Sequence, residues 1–266
     1  MSTALRVMPE WRFGSRRSVR ILERNIMAYR RQWFVFVSGF FEPLFYLLSL
    51  GIGLNKLVGH LHVGHQIVTY AAFVAPGMLA ASSMNGAVID SIYNTFFKLK
   101  ISHVYEPLLA TPLDVNDIAL GEVLWSLTRS TLYSMSFIVC MIALGDFHSW
   151  WVIACLPAAV LSSFGFACVG LAACTWVRSW QDFDIVSMVQ LPFFLFSGTF
   201  FPISLYPHWI ATLVVFSPLY QSAALLRGFS LGTFSPVMIV HAGYLAALGA
   251  AGLFVATRRF RRILAP

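Results

Sequence analysis

Charge is what this sequence has least of: Asp, Glu, Lys and Arg supply 11% of its 266 residues, less than half of the ~25% usual in a soluble domain. Only three lysines occur, Lys56, Lys98 and Lys100. None stands in the G-x-x-x-x-G-K-[ST] setting that cradles nucleotide phosphates. The HExxH zinc motif is missing, as is any Ser/His/Asp arrangement for nucleophilic catalysis. Nucleotide hydrolysis is therefore expected from another polypeptide, with no catalytic residue and no metal site in this chain. Four cysteines, Cys140, Cys155, Cys168 and Cys174, lie in or beside apolar runs without CxxC spacing, and read as small packing residues rather than disulfides or ligands. A cleavable leader is not expected either. The first 33 residues carry eight arginines and no short apolar core ending at a small-residue cleavage site.

What the sequence has is apolar length. Hydrophobic residues make up 58% of it and the mean hydropathy is +0.74, in recurring runs of about 20 residues with the charges between them. A secreted β protein or an outer-membrane barrel would show short alternating segments instead. The expected fold is an all-α integral membrane protein with six transmembrane helices near 34–54, 68–97, 120–144, 150–176, 185–200 and 237–257. Residues 201–236 are apolar but broken by Pro202, Pro207, Pro218 and Gly228, too interrupted to cross the bilayer separately, and predict short re-entrant or interfacial helices between spans five and six. The organisation is thus a tail and amphipathic helix in 1–33, a membrane domain in 34–257 with a cytoplasmic loop at 98–117, and a basic tail in 258–266.

Lysine and arginine placement sets the orientation. With both termini cytoplasmic, 15 of the 18 basic residues fall inside, Lys56 and Arg227 outside, and Arg129 within the third span. The formal charge of +7 therefore reads as membrane orientation rather than as a nucleic-acid surface. Residues 16–31 have a helical pattern, with Val19, Leu22, Ile26 and Tyr29 near one face and Arg17, Arg20, Arg24 and Arg31 on another. Such a helix lies in the inner headgroup layer, as an anchor alone or as a part of the transport machinery.

Glu42, Asp90 and Arg129 interrupt apolar runs at comparable depths, roughly 12–14 Å from the cytoplasmic side at 1.5 Å per residue. Intramembrane charge is costly and is paired or faces a cavity. A Glu42–Arg129 pair with Asp90 as third member is expected, either as a clamp on helix register or in the substrate path. Glu122 is placed close enough to the interface to be solvated. In the cytoplasmic loop, Val104, Tyr105, Leu108 and Leu109 form an apolar knob around Glu106, suited to a groove on another protein or to packing on the chain's own bundle. His60, His62 and His65 lack a completing cysteine or carboxylate, and read as an external hairpin. The small pairs Gly77/Ala81, Gly165/Gly170 and Ala246/Ala250 permit close helix packing, within the chain or against a second copy.

Several strings together resemble the membrane subunit of an ABC-2 type exporter, in its NodJ-like and daunorubicin-resistance-permease-like branch. They are Ala75-Pro76-Gly77-Met78, Tyr105-Glu106-Pro107-Leu108-Leu109-Ala110-Thr111-Pro112, Asp117-Ile118-Ala119-Leu120-Gly121-Glu122, Phe196-Ser197-Gly198-Thr199-Phe200-Phe201-Pro202 and Ser217-Pro218-Leu219. Their order on six spans, after a basic amphipathic helix, carries the resemblance from about residue 20 to the end. It implies two copies of this chain with two ATP-binding cassette subunits, which would bind the ATP and Mg. Val104, Tyr105, Glu106, Leu108 and Leu109 would match the coupling helix seated on the ATPase, and 16–31 the elbow helix. The segment holding Gly198, Phe201, Pro202 and Pro218 would close the external end. The cargo class it implies is an amphiphile: a lipo-oligosaccharide or other glycolipid, a polyketide or a hydrophobic drug. The location it implies is a bacterial inner membrane. The competing reading is an ion-coupled secondary transporter or channel that uses Glu42, Asp90 and Arg129. A membrane-embedded enzyme is disfavoured by the missing catalytic set.

Overall fold

The computed structural model describes residues 16–29, 41, 45, 48–49, 53, 58–63, 66–145 and 149–264. Most of the first expected span, with Glu42, and also Arg31 and His65 lie outside the described residues. In chain order the elements are helix α1 (Arg16–Tyr29), strands β1 (His60–Val63) and β2 (Gln66–Thr69), and helices α2 (Tyr70–Val88) and α3 (Tyr105–Leu109). There follow α4 (Val115–Leu144), α5 (Cys155–Cys174), α6 (Asp182–Leu195), α7 (His208–Val215), α8 (Pro218–Leu231) and α9 (Val237–Leu264). The histidine segment is a small antiparallel hairpin, with His60 opposite Thr69 and Val63 opposite Gln66.

Among the described residues, four helical stretches are long and apolar enough to cross a bilayer: Tyr70–Ile101, Val115–Leu144, Trp150–Cys174 and Val237–Leu264; the bent pair α7–α8 adds a fifth if it is one broken span. The 20 residues of α5 are about 30 Å long, the thickness of the hydrocarbon core. Exposed Trp150 and Trp151 stand before α5, and exposed Trp176 and Trp180 follow it, as tryptophans do at the two membrane interfaces. Helix α2 is the centre of the bundle, with 17 of its 19 residues buried. It continues to Ile101 through two π-helical segments, Ile89–Asn94 and Phe97–Ile101, wide turns of a kind found at functional sites.

Sequence chemistry sets the element ends. Helix α4 opens on a reciprocal capping box between Asp114 and Asp117 and closes on Gly145 at φ 76°, so both helix ends meet local partners. Helix α6 starts and stops earlier than the expected 185–200. Pro192 disrupts its last turns, and the chain leaves it through Gly198 at φ 65°, a left-handed turn that glycine adopts without a Cβ clash. At the carboxyl end α9 runs on through the basic segment to Leu264 and buries Phe260 against the bundle.

Two of the expected packing faces differ. On α9, Ala246 and Ala250 are exposed, while Gly249 and Gly252 face α5. A Cβ on Gly252 would lie 2.8 Å from the Cys168 carbonyl carbon, so backbone meets backbone there. On α1 the bundle-facing stripe is Ser18, Ile21 and Asn25, whereas Val19 and Ile26 are exposed. The helix therefore has three faces, because its apolar side also serves a surface that fits the acyl boundary. Helix α1 crosses α4 at Gly121, where an added Cβ would fall 2.6 Å from Ile21 Cβ. Gly121→Leu is expected to expel α1 and cost about 1–3 kcal/mol. Faster trypsin cleavage after Arg17 or Arg20, with a lowered melting temperature, would register it.

Candidate functional site

Three elements meet on Glu122. Its carboxylate accepts a hydrogen bond from Lys98 Nζ at 2.7 Å and from Asn25 Nδ2 at 3.3 Å. Lys98 also donates to Asn25 Oδ1 at 3.1 Å, and Arg24 stands 4.0 Å from the second carboxylate oxygen. The Glu122 side chain is 2% exposed, which corrects the expectation that it is solvated. Depth counted along one helix misses α1, which lies over this turn of α4 and closes it off. The residues joined are thus the start of α4, the end of the α2 stretch and the elbow helix. Tyr105 of α3, 1% exposed, approaches the same carboxylate from below. Burial, and then the Glu122 charge beside it, push its hydroxyl well above the ordinary tyrosine pKa of 10.0, so it stays protonated.

Of the two alternatives for the loop around α3, its apolar side chains follow packing on the chain's own bundle. Its apolar knob does not project as a unit: Tyr105 is buried against Phe260, and Leu108 and Leu109 pack on the bundle. Apolar side chains next to an available core join it rather than face water. What the loop exposes is His103, Glu106, Pro107 and Ala110, with His103 and Glu106 in contact at 2.8 Å. Thr111 Oγ1 donates to the Leu108 carbonyl at 2.6 Å and Arg17 Nη1 to the Pro112 carbonyl at 2.9 Å, so the elbow helix also holds this loop. The remaining elbow arginine in view, Arg20, pairs with Glu23 at the surface.

Deeper in the bundle, Arg129 Nη1 donates to Asp90 Oδ1 at 3.0 Å and Arg129 Nε to Tyr133 Oη at 3.0 Å. Asn94 and Ser126 each donate to Asp90 at 3.2 Å. Tyr29 of the elbow helix donates to Asn94 at 2.6 Å and stacks on Trp125. Arg129 is therefore paired with Asp90 among the described residues. The α2 stretch sets Asp90, Asn94 and Lys98 toward α4 and α1, so the two ion pairs form one polar seam.

The opposite face of α2 is open. Helix α6 buries only Phe183, which stacks on Tyr93 at 4.3 Å, and is tied midway by Gln190 donating to Asn85. Between the two helices is a cleft of about 370 Å³ lined by Met78, Ser82, Asn85, Ser187, Gln190 and Phe194, among others. Its polar groups are hydroxyls and amides and its walls are apolar, a surface suited to an uncharged polar group attached to an apolar body.

The remaining candidates lie between α6 and α8. Gly198 sits against the ring of Tyr220, Phe201 is exposed, and Pro202 precedes a short 3₁₀ turn. Pro218 is the first residue of α8, which bends 81° from α7. The carbonyls freed at that bend are met by side chains: Gln221 donates to Val215 O at 2.6 Å and Tyr244 to Phe216 O at 2.8 Å. Irregular backbone at membrane depth requires such satisfaction.

Four amides of the site escaped the reading of the sequence: Asn25, Asn85, Asn94 and Gln190, all within amphipathic or apolar helices. An amide in a span is itself the available signal, since its groups must find partners in hydrocarbon. The comparisons agree with the geometry. The ABC-2 type transporter family model matches residues 18–230. Nodulation protein J of Rhizobium leguminosarum bv. trifolii is 33% identical over 94% of this chain and 95% of its own length. Nodulation protein J of Rhizobium meliloti is 30% identical over 93% and 94%, and that of Bradyrhizobium diazoefficiens 28% over 92% of each. With the matched region spanning the elbow helix, both ion pairs and the bend at Pro218, the chain belongs to the ABC-2 type transporter family, as a multi-pass membrane transport subunit of the NodJ-like branch.

Proposed function

We propose that this chain is the membrane-spanning half of an ATP-driven exporter that moves an amphiphile out across a bacterial inner membrane. Two copies would assemble with two ATP-binding cassette subunits, which bring ATP and Mg. Six spans with cytoplasmic termini accompany this reading, the first of them in 34–54 and the fifth including α6. The observation that carries it is the cytoplasmic knot, in which a loop with an exposed polar tip is backed by Tyr105, Glu122, Lys98 and Asn25. A push on α3 would therefore reach α1, the α2 stretch and α4 together. Exposed Ile185, Met188 and Val189 on α6 support a second copy beside the cleft.

The test is association. Glu106→Lys combined with Ala110→Arg alters only the exposed tip and is expected to weaken co-purification with the cognate ATP-binding subunit at least about tenfold, the scale of one interface hot spot. Unchanged melting of the isolated chain would accompany that loss. Unchanged association would count against docking at this loop. Substrate recognition has its own readout. Asn85→Leu with Gln190→Leu is expected to raise the amphiphile concentration that half-stimulates ATP hydrolysis, with basal hydrolysis kept.

A further inference from the structure

Arg227 occupies the other end of α2 from the Lys98 cluster. Its Nη2 donates to the Gly198 carbonyl at 3.0 Å and its Nε to the Phe73 carbonyl at 3.3 Å. Its guanidinium carbon lies 3.9 Å from the centre of the Phe73 ring. Among the described ion pairs none involves Arg227, so backbone carbonyls and a ring face take the place of a carboxylate. Arg227 itself belongs to α8, and the groups it touches belong to two other elements, the first turn of α2 and the turn that follows α6, so three elements meet at it.

The surroundings make that junction tight but weakly bonded. A Cβ on Gly77 would lie 2.9 Å from Thr199 Cγ2, so α2 and the turn after α6 touch through small groups. Ser197 and Thr199, both 0% exposed, bond to each other at 2.6 Å and not to α2. The forked guanidinium is therefore the described polar link that spans all three elements. A carbonyl in a left-handed turn is free of the helix ladder, and a planar fork can take it together with a second acceptor in fixed geometry.

We infer that Arg227 is a positioning residue for export: it pins α8 and the 196–201 turn to the top of α2 in the closed external state, and its carbonyl bonds break when the bundle opens outward. This rests on the exporter reading. Arginine suits the task better than an ion pair, because carbonyl acceptors hold it without the larger cost of separating two buried charges.

The experiment uses the assembled transporter in lipid vesicles, with Thr199→Cys as a reporter and a membrane-impermeant maleimide added outside; the parent without the reporter corrects for the native cysteines. Without nucleotide, Thr199→Cys is expected to label slowly. With Arg227→Ala added it should label about tenfold faster, the scale of one lost charged hydrogen bond. Arg227→Lys should fall between, since an ammonium cannot fork to both carbonyls. Equal labelling of all three without nucleotide, even with a lowered melting temperature, overturns the pin and leaves Arg227 a packing residue. Should Arg227→Ala fail to assemble, the lysine variant decides by the same criterion. The exporter reading is scored separately: the reporter in the Arg227 background must label faster during ATP turnover, and a rate indifferent to ATP contradicts that reading without entering the nucleotide-free comparison.

Discussion

Lys98→Met is expected to lower stability by about 3–5 kcal/mol, the usual cost of leaving one member of a buried ion pair alone. The ammonium is 2.7 Å from Glu122, and the two side chains are only 9% and 2% exposed. With Lys98 gone, the nearest remaining cation is Arg24, at 4.0 Å, too far for a charge-assisted hydrogen bond. Asn25 loses one of the two donors to its carbonyl oxygen in the same step and keeps Arg24 at 3.2 Å. Adding Glu122→Gln should recover most of the loss, because an amide keeps the contact with Asn25 and removes the stranded charge. Equilibrium unfolding of the parent and the two variants in mixed micelles checks this. The functional consequence should be separable from it. In the stable double variant the ATPase should still bind and hydrolyse ATP, while transport per ATP falls at least about tenfold, a barrier change of about 1.4 kcal/mol. Full transport by that variant would mean that the knot only holds the fold together.

Arg129→Met should be comparably damaging, for a related reason deeper in the bilayer. It strands Asp90, whose side chain is 1% exposed, with only Ser126 and Asn94 as donors. A loss of about 3–5 kcal/mol is expected, seen as poor assembly in the membrane. Asp90→Asn added to Arg129→Met should restore folded protein. That double variant divides the two meanings of the pair. Retained transport identifies a clamp between α2 and α4. Lost transport in well-folded protein identifies a working part of the path. The clamp is favoured, because Tyr133, Ser126 and Asn94 also hydrogen-bond to the pair and the cleft lies on another face of α2. An ion-coupled transporter built on these residues would need them to exchange partners or protons.

Much of this architecture was legible in the sequence, and particular residues show where legibility ended. Apolar runs located the four long helical stretches, Tyr70–Ile101, Val115–Leu144, Trp150–Cys174 and Val237–Leu264, because hydrocarbon demands length and little else. The prolines of 201–236 announced the bend at Pro218, since a ring without an N–H cannot sit quietly inside a helix. The strings that carried the family resemblance also find one another in space. Gly77 of the first meets Thr199 of the fourth, while Gly121 and Glu122 of the third receive Ile21 and Lys98. Those meetings could not be read along the chain, because each depends on how distant helices cross. Glu122 looked solvated for that reason, and Tyr105 looked available to a partner although Phe260 claims it. The elbow helix was recognised by its arginines, yet its packing face is Ser18, Ile21 and Asn25. A moment computed from hydrophobicity finds the lipid side of such a helix, and the side facing protein is set by size and hydrogen bonding.

The most direct measurement is transport by purified protein in vesicles, with and without the ATP-binding subunit. The chain alone should move neither a fluorescent amphiphile nor charge. With the partner and ATP-Mg, the amphiphile should be moved at a rate that follows hydrolysis, and Glu106→Lys with Ala110→Arg should abolish it. Amphiphile movement or ionic current by the chain alone, unaffected by the partner, would contradict its place as the membrane half of an ATP-driven exporter.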